Sequence, residues 1–276
     1  MTSELPGREI AADVMSQRAS SFGQVAAQYE RYRPGPPSAA IDWLLPSPVG
    51  TVVDLGAGTG ALTRQLGNHA ARVIAVEPDE RMRSVLQTEL PDATVLDGRG
   101  EAIPVADDSV DAVLASSSWH WMDPVPTLRE VRRVLKSGGF VAAMWSGPDP
   151  DSPFIAQAQA LLAGPADETG STPGATATLR DTVAGTFNPA TALTVPAGAP
   201  FSEPEHEAFR SEIPLNADEL IGLLGTLSWI ISMVPSEREG LFATARRLLR
   251  DALGIEGDVT VDVTFKCDTF RSYLIG

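Results

Sequence analysis

Cysteine is almost missing from this chain: Cys267 is the only one in 276 residues. A lone thiol excludes an intramolecular disulfide and any zinc site built from cysteines. Histidine is nearly as scarce, and His69, His120 and His206 show no spacing that would gather them around a metal. No stretch approaches the apolar length that spans a bilayer. The opening residues, MTSELPGREIAADVMSQ, carry charges where a secretory leader needs an apolar run. These absences predict a cytoplasmic chain with no membrane partner. Basic residues are outnumbered, 21 Lys and Arg against 36 Asp and Glu, giving a net charge of −15. Phosphate binding is driven by Lys and Arg, so nucleic acid is not an expected partner. The basic cluster at residues 129–136 reads as the solvated face of a helix.

The apolar fraction of 43% is that of an ordinary globular protein. The length suits one large α/β domain or a core with an embedded cap. The most informative stretch is VVDLGAGTG at residues 52–60. A buried strand breaks there into a glycine-rich turn and restarts as a helix. Gly56, Gly58 and Gly60 let the backbone turn tightly and leave its N–H groups uncovered for a ligand. The helix that follows adds its positive end. Glu77 closes a second apolar strand about twenty residues on, where a carboxylate suits the two hydroxyls of a ribose. These residues point to a nucleoside-containing cofactor.

Along the chain, residues 21–37 (SFGQVAAQYERYRPGPP) predict a helix with Phe22, Val25, Ala26 and Tyr29 on one face, stopped at Pro34. Its end gathers Tyr29, Arg31, Tyr32 and Arg33, able to hold a carboxylate or simply to pack at the domain edge. Strands are expected at 51–55, 72–76, ATVLDG, 111–115 and FVAAMWS, with helices between them. This alternation predicts a doubly wound parallel sheet. A helix is expected to run through PTLREVRRVLKSGG to a Gly-Gly stop. After residue 147 the composition turns to Pro, Gly, Ala and Thr, with a loop at 164–185. A strand near 208–213, apolar helices at 217–234 and 236–253, and an alternating strand VTVDVTFKC complete the chain.

Taken in order, these motifs resemble a class I S-adenosylmethionine-dependent methyltransferase. VVDLGAGTG, the acidic loop EPD at 77–79, GRGEAIPVADDSVDAVLA and LREVRRVLKSGGFVAAMW carry the resemblance. YERYRP and SSSWHWMD are similar to a small-molecule branch that includes the trans-aconitate methyltransferase-like proteins. The resemblance implies a Rossmann-like seven-stranded sheet, mostly parallel with an antiparallel last strand, and helical cap elements. It implies an N-terminal segment (1–37) over the cofactor, a cofactor-binding core (38–146), and a remainder (147–276) holding lid helices and the last two strands. S-adenosyl-L-methionine is the implied cofactor and S-adenosyl-L-homocysteine its product. Gly56, Ala57, Gly58 and Gly60 would pass under its methionine part, with Asp54 shaping the turn or contacting the amino group. Glu77 would hold the ribose, Pro78 and Met82 would border the adenine, and Gly100 and Glu101 would lie at its edge. Arg33 would reach the cofactor carboxylate, and Ser116 and Trp119 would stand on the sulfonium side. Arg99 departs from the short polar residue usual beside Gly100.

Methyl transfer needs alignment and exclusion of water, and a base only when the acceptor must lose a proton. His120 is the candidate base, since an ordinary imidazole titrates near neutrality; the other reading of Trp119, His120 and Trp121 is an aromatic wall. Tyr29 is the weaker catalytic candidate and, with Tyr273, a candidate for the site mouth. The substrate pocket is expected from Tyr29, Trp119, His120, Trp121, Trp229 and Met233. It suits a small, partly hydrophobic acceptor methylated at oxygen, nitrogen or carbon; an acidic acceptor would look to Arg238 or Arg271. Two alternatives stay open. One is a methyltransferase fold that binds cofactor without catalysis. The other is an NAD(P)-dependent oxidoreductase, because Gly56, Gly58 and Ala61 also fit G-x-G-x-x-A.

Overall fold

Every second residue of the central strands is apolar toward one face, and the facing residues are apolar too, so these strands must be covered on both sides. The computed structural model, which describes residues 25–162 and 193–275, shows this arrangement. β1 (Val49–Leu55) pairs in parallel with β2 (Ala70–Val76) and with β4 (Val110–Ser116). β2 pairs with β3 (Thr94–Leu96), and β4 with β5 (Leu135–Pro148). β7 (Val261–Tyr273) inserts antiparallel between β5 and β6 (Glu205–Leu215). The order β3-β2-β1-β4-β5-β7-β6 is the expected seven-stranded, Rossmann-like sheet. Strand order reverses between β1 and β4, and the crevice at such a switch point is where these sheets bind ligands.

The two faces have separate cores. On one, Val53, Leu55, Val113, Ala115, Val141 and Ala143 meet Leu128, Val131 and Val134 of an amphipathic helix. On the other, Val52, Ala112, Leu114, Ala142 and Met144 meet Ile41, Leu44, Leu62 and Leu66. Each fully buried leucine or isoleucine here contributes about 1.5–3 kcal/mol.

The helices in chain order are α1 (Ala26–Tyr32), α2 (Ser38–Leu44), α3 (Thr63–Leu66), α4 (Glu80–Glu89), α5 (Pro124–Val134) and α6 (Pro153–Leu162). They are followed by α7 (Ala217–Leu224), α8 (Ser228–Ile231) and α9 (Pro235–Leu253). Two boundaries differ from the sequence expectation. α5 stops at Val134 rather than at the Gly-Gly pair, because Leu135 is already extended (φ −72, ψ 134) and pairs with Val110. The expected helix over 217–234 is broken at Thr226. Its hydroxyl donates to Leu223 O at 2.6 Å, a side-chain bond that competes with helical continuation. Phe22 and the loop at 164–185 lie outside the described residues.

α7, α8 and α9, the helices expected to form a lid, sit at the carboxyl end of the sheet. Pro148 at the end of β5 pairs with Phe265, and Leu220 and Leu223 of α7 pack on Phe265 and Val263. α1 is tied to this lid at Gly222, where a Cβ would lie 2.5 Å from the Tyr32 ring. Gly222→Ala therefore drives the ring outward, with an overpacking penalty of about 1–3 kcal/mol. The expected result is at least tenfold faster amide hydrogen exchange across residues 26–33, while the strands stay protected. Unchanged exchange would mean that this contact does not hold α1.

Candidate functional site

The glycine turn leaves β1 with Gly56, Gly58 and Gly60 at φ +69, +58 and +96, a region open to glycine and strained for other residues. The N–H groups of Gly56 and Ala57 donate to Val76 O at 2.8 and 3.1 Å, fastening the turn across the tip of β2. Gly56 is required for space as well. A Cβ there would stand 2.6 Å from the Cβ of Ser118, whose hydroxyl donates to Leu55 O at 2.7 Å. At Gly58 a Cβ would meet none of the described residues within 4 Å, so among them this turn faces open space.

Glu77 stands behind that space. One carboxylate oxygen accepts the Gly58 N–H at 2.9 Å and the other the Asp79 N–H at 2.9 Å. Burial pushes the carboxyl up, and these two N–H groups oppose the push. A carboxylate oxygen has a second lone pair, so both atoms retain capacity for ligand hydroxyls. Asp54 lies deeper, 1% exposed. One of its oxygens accepts the Thr63 hydroxyl at 2.6 Å, and the other has no partner among the described residues. Burial, helped by the charge of Glu77, pushes its pKa from 3.8 to about 7. An unpaired buried carboxylate oxygen calls for a donor, preferably a cationic one.

This burial has a measurable consequence. Because the folded pKa of Asp54 is raised, its stabilising contribution is complete below pH 3.8 and is lost as pH rises through about 7. Asp54→Asn cannot titrate. Its unfolding free energy relative to the parent is expected to rise by about 1.4 kcal/mol per pH unit across that window. Urea denaturation at several pH values measures this, and a flat difference would contradict the burial of the ionised form.

Around these carboxylates the expected residues divide. Met82 is buried under the first turn of α4 and Pro78 is exposed at its approach. Asp79 caps α4 through Arg81 and Met82 N–H. Gly100 is buried against Met122, whose sulfur would be 2.6 Å from a Cβ at 100, and the Met122 methyl would be 3.3 Å from a Cβ at 56. Met122 thus lies between the two loops, a residue the sequence reading missed. Glu101 is engaged there too: its carboxylate accepts the Asp123 N–H at 2.8 Å and ties the β3 loop to the WHWMD segment. Arg99 points to solvent, 72% exposed and 3.9 Å from Glu101. Ser116 ends the β4 ladder opposite Met144, and Ser117 beyond it takes φ +53, local strain of the kind found at functional turns.

The aromatic cluster corrects several expectations. Trp119 is 4% exposed and packs in the core with Leu128, Val131 and Trp145, so it is packing rather than pocket wall. Its aromatic flanks in WHWMD gave no signal of which tryptophan turns inward. Trp121 is half-buried instead, with its ring 4.4 Å from His120. The Trp145 indole N–H donates to His120 Nδ1 at 3.1 Å. Burial first, then the charge of Arg33, hold the His120 pKa down at about 4. Arg33 itself donates through Nε to Thr226 Oγ1 at 3.0 Å and lies 5.7 Å from the Tyr29 ring centroid. It therefore clasps α1 to the lid, and among the described residues its two terminal nitrogens have no partner.

The remaining candidates lie in the segments after β6 or on β7. Trp229 and Met233 pack in the lid with Ile230, Leu241 and Ala245. Tyr273 pairs with Phe140, at the end of β5 opposite the glycine turn, and so does not reach the site mouth. Arg271 is spent at that same end. It lies 4.3 Å over the Trp43 ring and bonds Glu205 at 2.6 Å. Arg238 sits in the first turns of α9. Among the described residues no group of three or more His, Cys, Asp or Glu could hold a metal, and no helix is long and apolar enough to cross a membrane.

Comparison with known proteins agrees with this geometry. Residues 53–143, which run from β1 through β5, match a family described as methyltransferase domain. The chain is 48% identical over 129 residues to an uncharacterized methyltransferase of Mycobacterium bovis, covering 47% of this chain and 53% of that protein. It is 33% identical over 147 residues to an uncharacterized methyltransferase-like protein of Schizosaccharomyces pombe, covering 51% and 57%. The chain thus spans about half the length of the curated relatives it matches. A solved structure from Anaeromyxobacter dehalogenans, assigned to the type II methyltransferases, superposes with a TM-score of 0.62 at 24% identity, covering 88% of this chain and 99% of that one. Residues 53–143 thus match a methyltransferase-domain family and lie within a Rossmann-like sheet that this chain shares with the solved Anaeromyxobacter dehalogenans structure.

Proposed function

We propose that this chain is a class I methyltransferase that uses S-adenosyl-L-methionine to methylate a small, partly hydrophobic molecule at oxygen, nitrogen or carbon. The observation that carries the proposal is the pairing of Asp54 and Glu77 around the glycine turn. One is a buried carboxylate with an oxygen unpaired among the described residues, the other a carboxylate with lone pairs to spare, and both stand at the switch point of the sheet. An amino acid joined to a nucleoside supplies a cation for the first and ribose hydroxyls for the second. The fit therefore favours this cofactor over a dinucleotide, which brings no ammonium group to Asp54.

When bound, the cofactor supplies an activated methyl group and its own leaving group. The chain's part is to hold and enclose. Glu77 would take the ribose, Asp54 would meet the amino group, and the open face at Gly58 would let the backbone approach. Met82, Pro78, Gly100 and Glu101 would border the base, and Ser116 would stand toward the reacting end. The terminal nitrogens of Arg33 would serve the cofactor carboxylate, charge-assisted as such pairs are. Trp121 and the lid residues Trp229 and Met233 give the acceptor side an apolar character that would keep water out. This character supports a small-molecule acceptor over nucleic acid or a membrane partner, and the small-molecule branch that the YERYRP and WHWMD segments resemble.

The test is transfer of label from methyl-labelled S-adenosylmethionine into a panel of aromatic acids, phenols, amines and activated methylenes, with product S-adenosylhomocysteine measured in parallel. Acceptor-dependent release of product at turnover rates supports the proposal. Tight cofactor binding with no transfer across the panel would favour the non-catalytic alternative.

A further inference from the structure

The contact between Trp145 and His120 decides the chemical identity of the imidazole. Trp145 stands near the carboxyl end of β5 and is 8% exposed. An indole N–H can only donate, so His120 Nδ1, 3.1 Å away, must present a lone pair. A neutral imidazole carries one proton, and here it has to be on Nε2. Protonation would place a second N–H on Nδ1, donor against donor, in a half-buried ring already under the positive charge of Arg33. Arg33 of α1 is the charged group that acts on the ring, with Tyr29 of the same helix beneath its guanidinium. Trp121 packs on the ring face and brings no charge.

We propose that Trp145 locks His120 in the Nε2–H tautomer, so that His120 offers the methyl acceptor a hydrogen-bond donor and does not act as its base. Nε2 has no partner among the described residues, so its N–H is available to a ligand. The His120 Nε2–H thus gives the acceptor side of the site a donor. It suits an acceptor whose oxygen has free lone pairs at neutral pH, and it disfavours one that must surrender a proton to His120. The role toward the acceptor rests on the methyl-transfer reading above, whereas the tautomer itself does not.

The lock is tested without any ligand. Long-range proton–nitrogen correlation spectra of the 15N-labelled full chain at pH 7 distinguish the two tautomers and the imidazolium, and His120→Asn identifies the His120 signals by their loss. The expected pattern is a protonated Nε2, a bare Nδ1, and a titration midpoint below pH 5. In Trp145→Phe the midpoint should move up by at least one pH unit and the tautomers should mix. An Nδ1–H form or an imidazolium at pH 7 overturns the lock, and the parent spectrum decides this even where Trp145→Phe does not fold. The donor role is read with S-adenosylhomocysteine present, using benzoate and benzylamine as probes. Saturable shifts of the His120 Nε2–H signal with benzoate alone support it; shifts with benzylamine alone, or with neither probe, overturn it. If S-adenosylhomocysteine itself does not bind, the methyl-transfer reading fails while the tautomer result stands on its own.

Discussion

Glu77→Ala is expected to weaken binding of S-adenosylmethionine and S-adenosylhomocysteine by about 100-fold. Hydrogen bonds to a charged partner contribute about 1.5–3 kcal/mol, and 1.4 kcal/mol is a factor of ten in affinity. The variant would lose the ribose acceptors directly. It would also release the N–H groups of Gly58 and Asp79, which Glu77 holds at 2.9 Å and which shape the turn. Global stability should change far less than affinity, because burial disfavours the ionised carboxyl and its removal relieves that penalty. Glu77→Gln keeps one acceptor oxygen and should fall between the parent and alanine. Calorimetric titration of all three proteins with S-adenosylhomocysteine gives the ranking. Equal affinity in parent and alanine variants would remove Glu77 from the site.

Trp119→Ala is expected to behave in the opposite way, with a large loss of stability and little change in intrinsic cofactor affinity. The indole is 4% exposed among Leu128, Val131 and Trp145. Large aromatic deletions in such surroundings destabilise by about 3–5 kcal/mol, because the cavity left behind closes only partly. Denaturant unfolding measures the first effect, and titration well below the variant's melting temperature measures the second. A stable variant with weakened binding would return Trp119 to the pocket wall that its place in the sequence suggested. Trp121→Ala should show the reverse pattern, since its ring is half-buried beside His120.

The contrast between these two tryptophans shows what the sequence could convey. Strand residues such as Val52, Val53, Val113 and Leu114 announce themselves, because a strand covered on both faces must be apolar throughout. The glycines at 56, 58 and 60 and the acid at 77 were legible for a related reason: backbone conformation and carboxylate chemistry leave few substitutes. The order of these motifs made the sheet legible as well. The WHW segment had no such constraint. Three large rings in a short turn give no period, so which one turns inward is settled by the tertiary packing of α5 and β5. Ser118 and Met122 were missed because a serine and a methionine look ordinary until the space that Gly56 and Gly100 vacate is seen. The broken lid helix was hidden by propensity, since one threonine hydroxyl and its distant partner Arg33 decide the break. Arg271 and Tyr273 were misplaced because the sequence does not show which end of the last strand meets the carboxyl end of the sheet.

Isothermal titration of the parent protein tests most directly whether the glycine turn with Asp54 and Glu77 takes S-adenosylmethionine, as proposed above. Micromolar binding of S-adenosylmethionine and S-adenosylhomocysteine, with no heat from NADH, is the predicted result. Binding of NADH with silence from both sulfur nucleosides would contradict it.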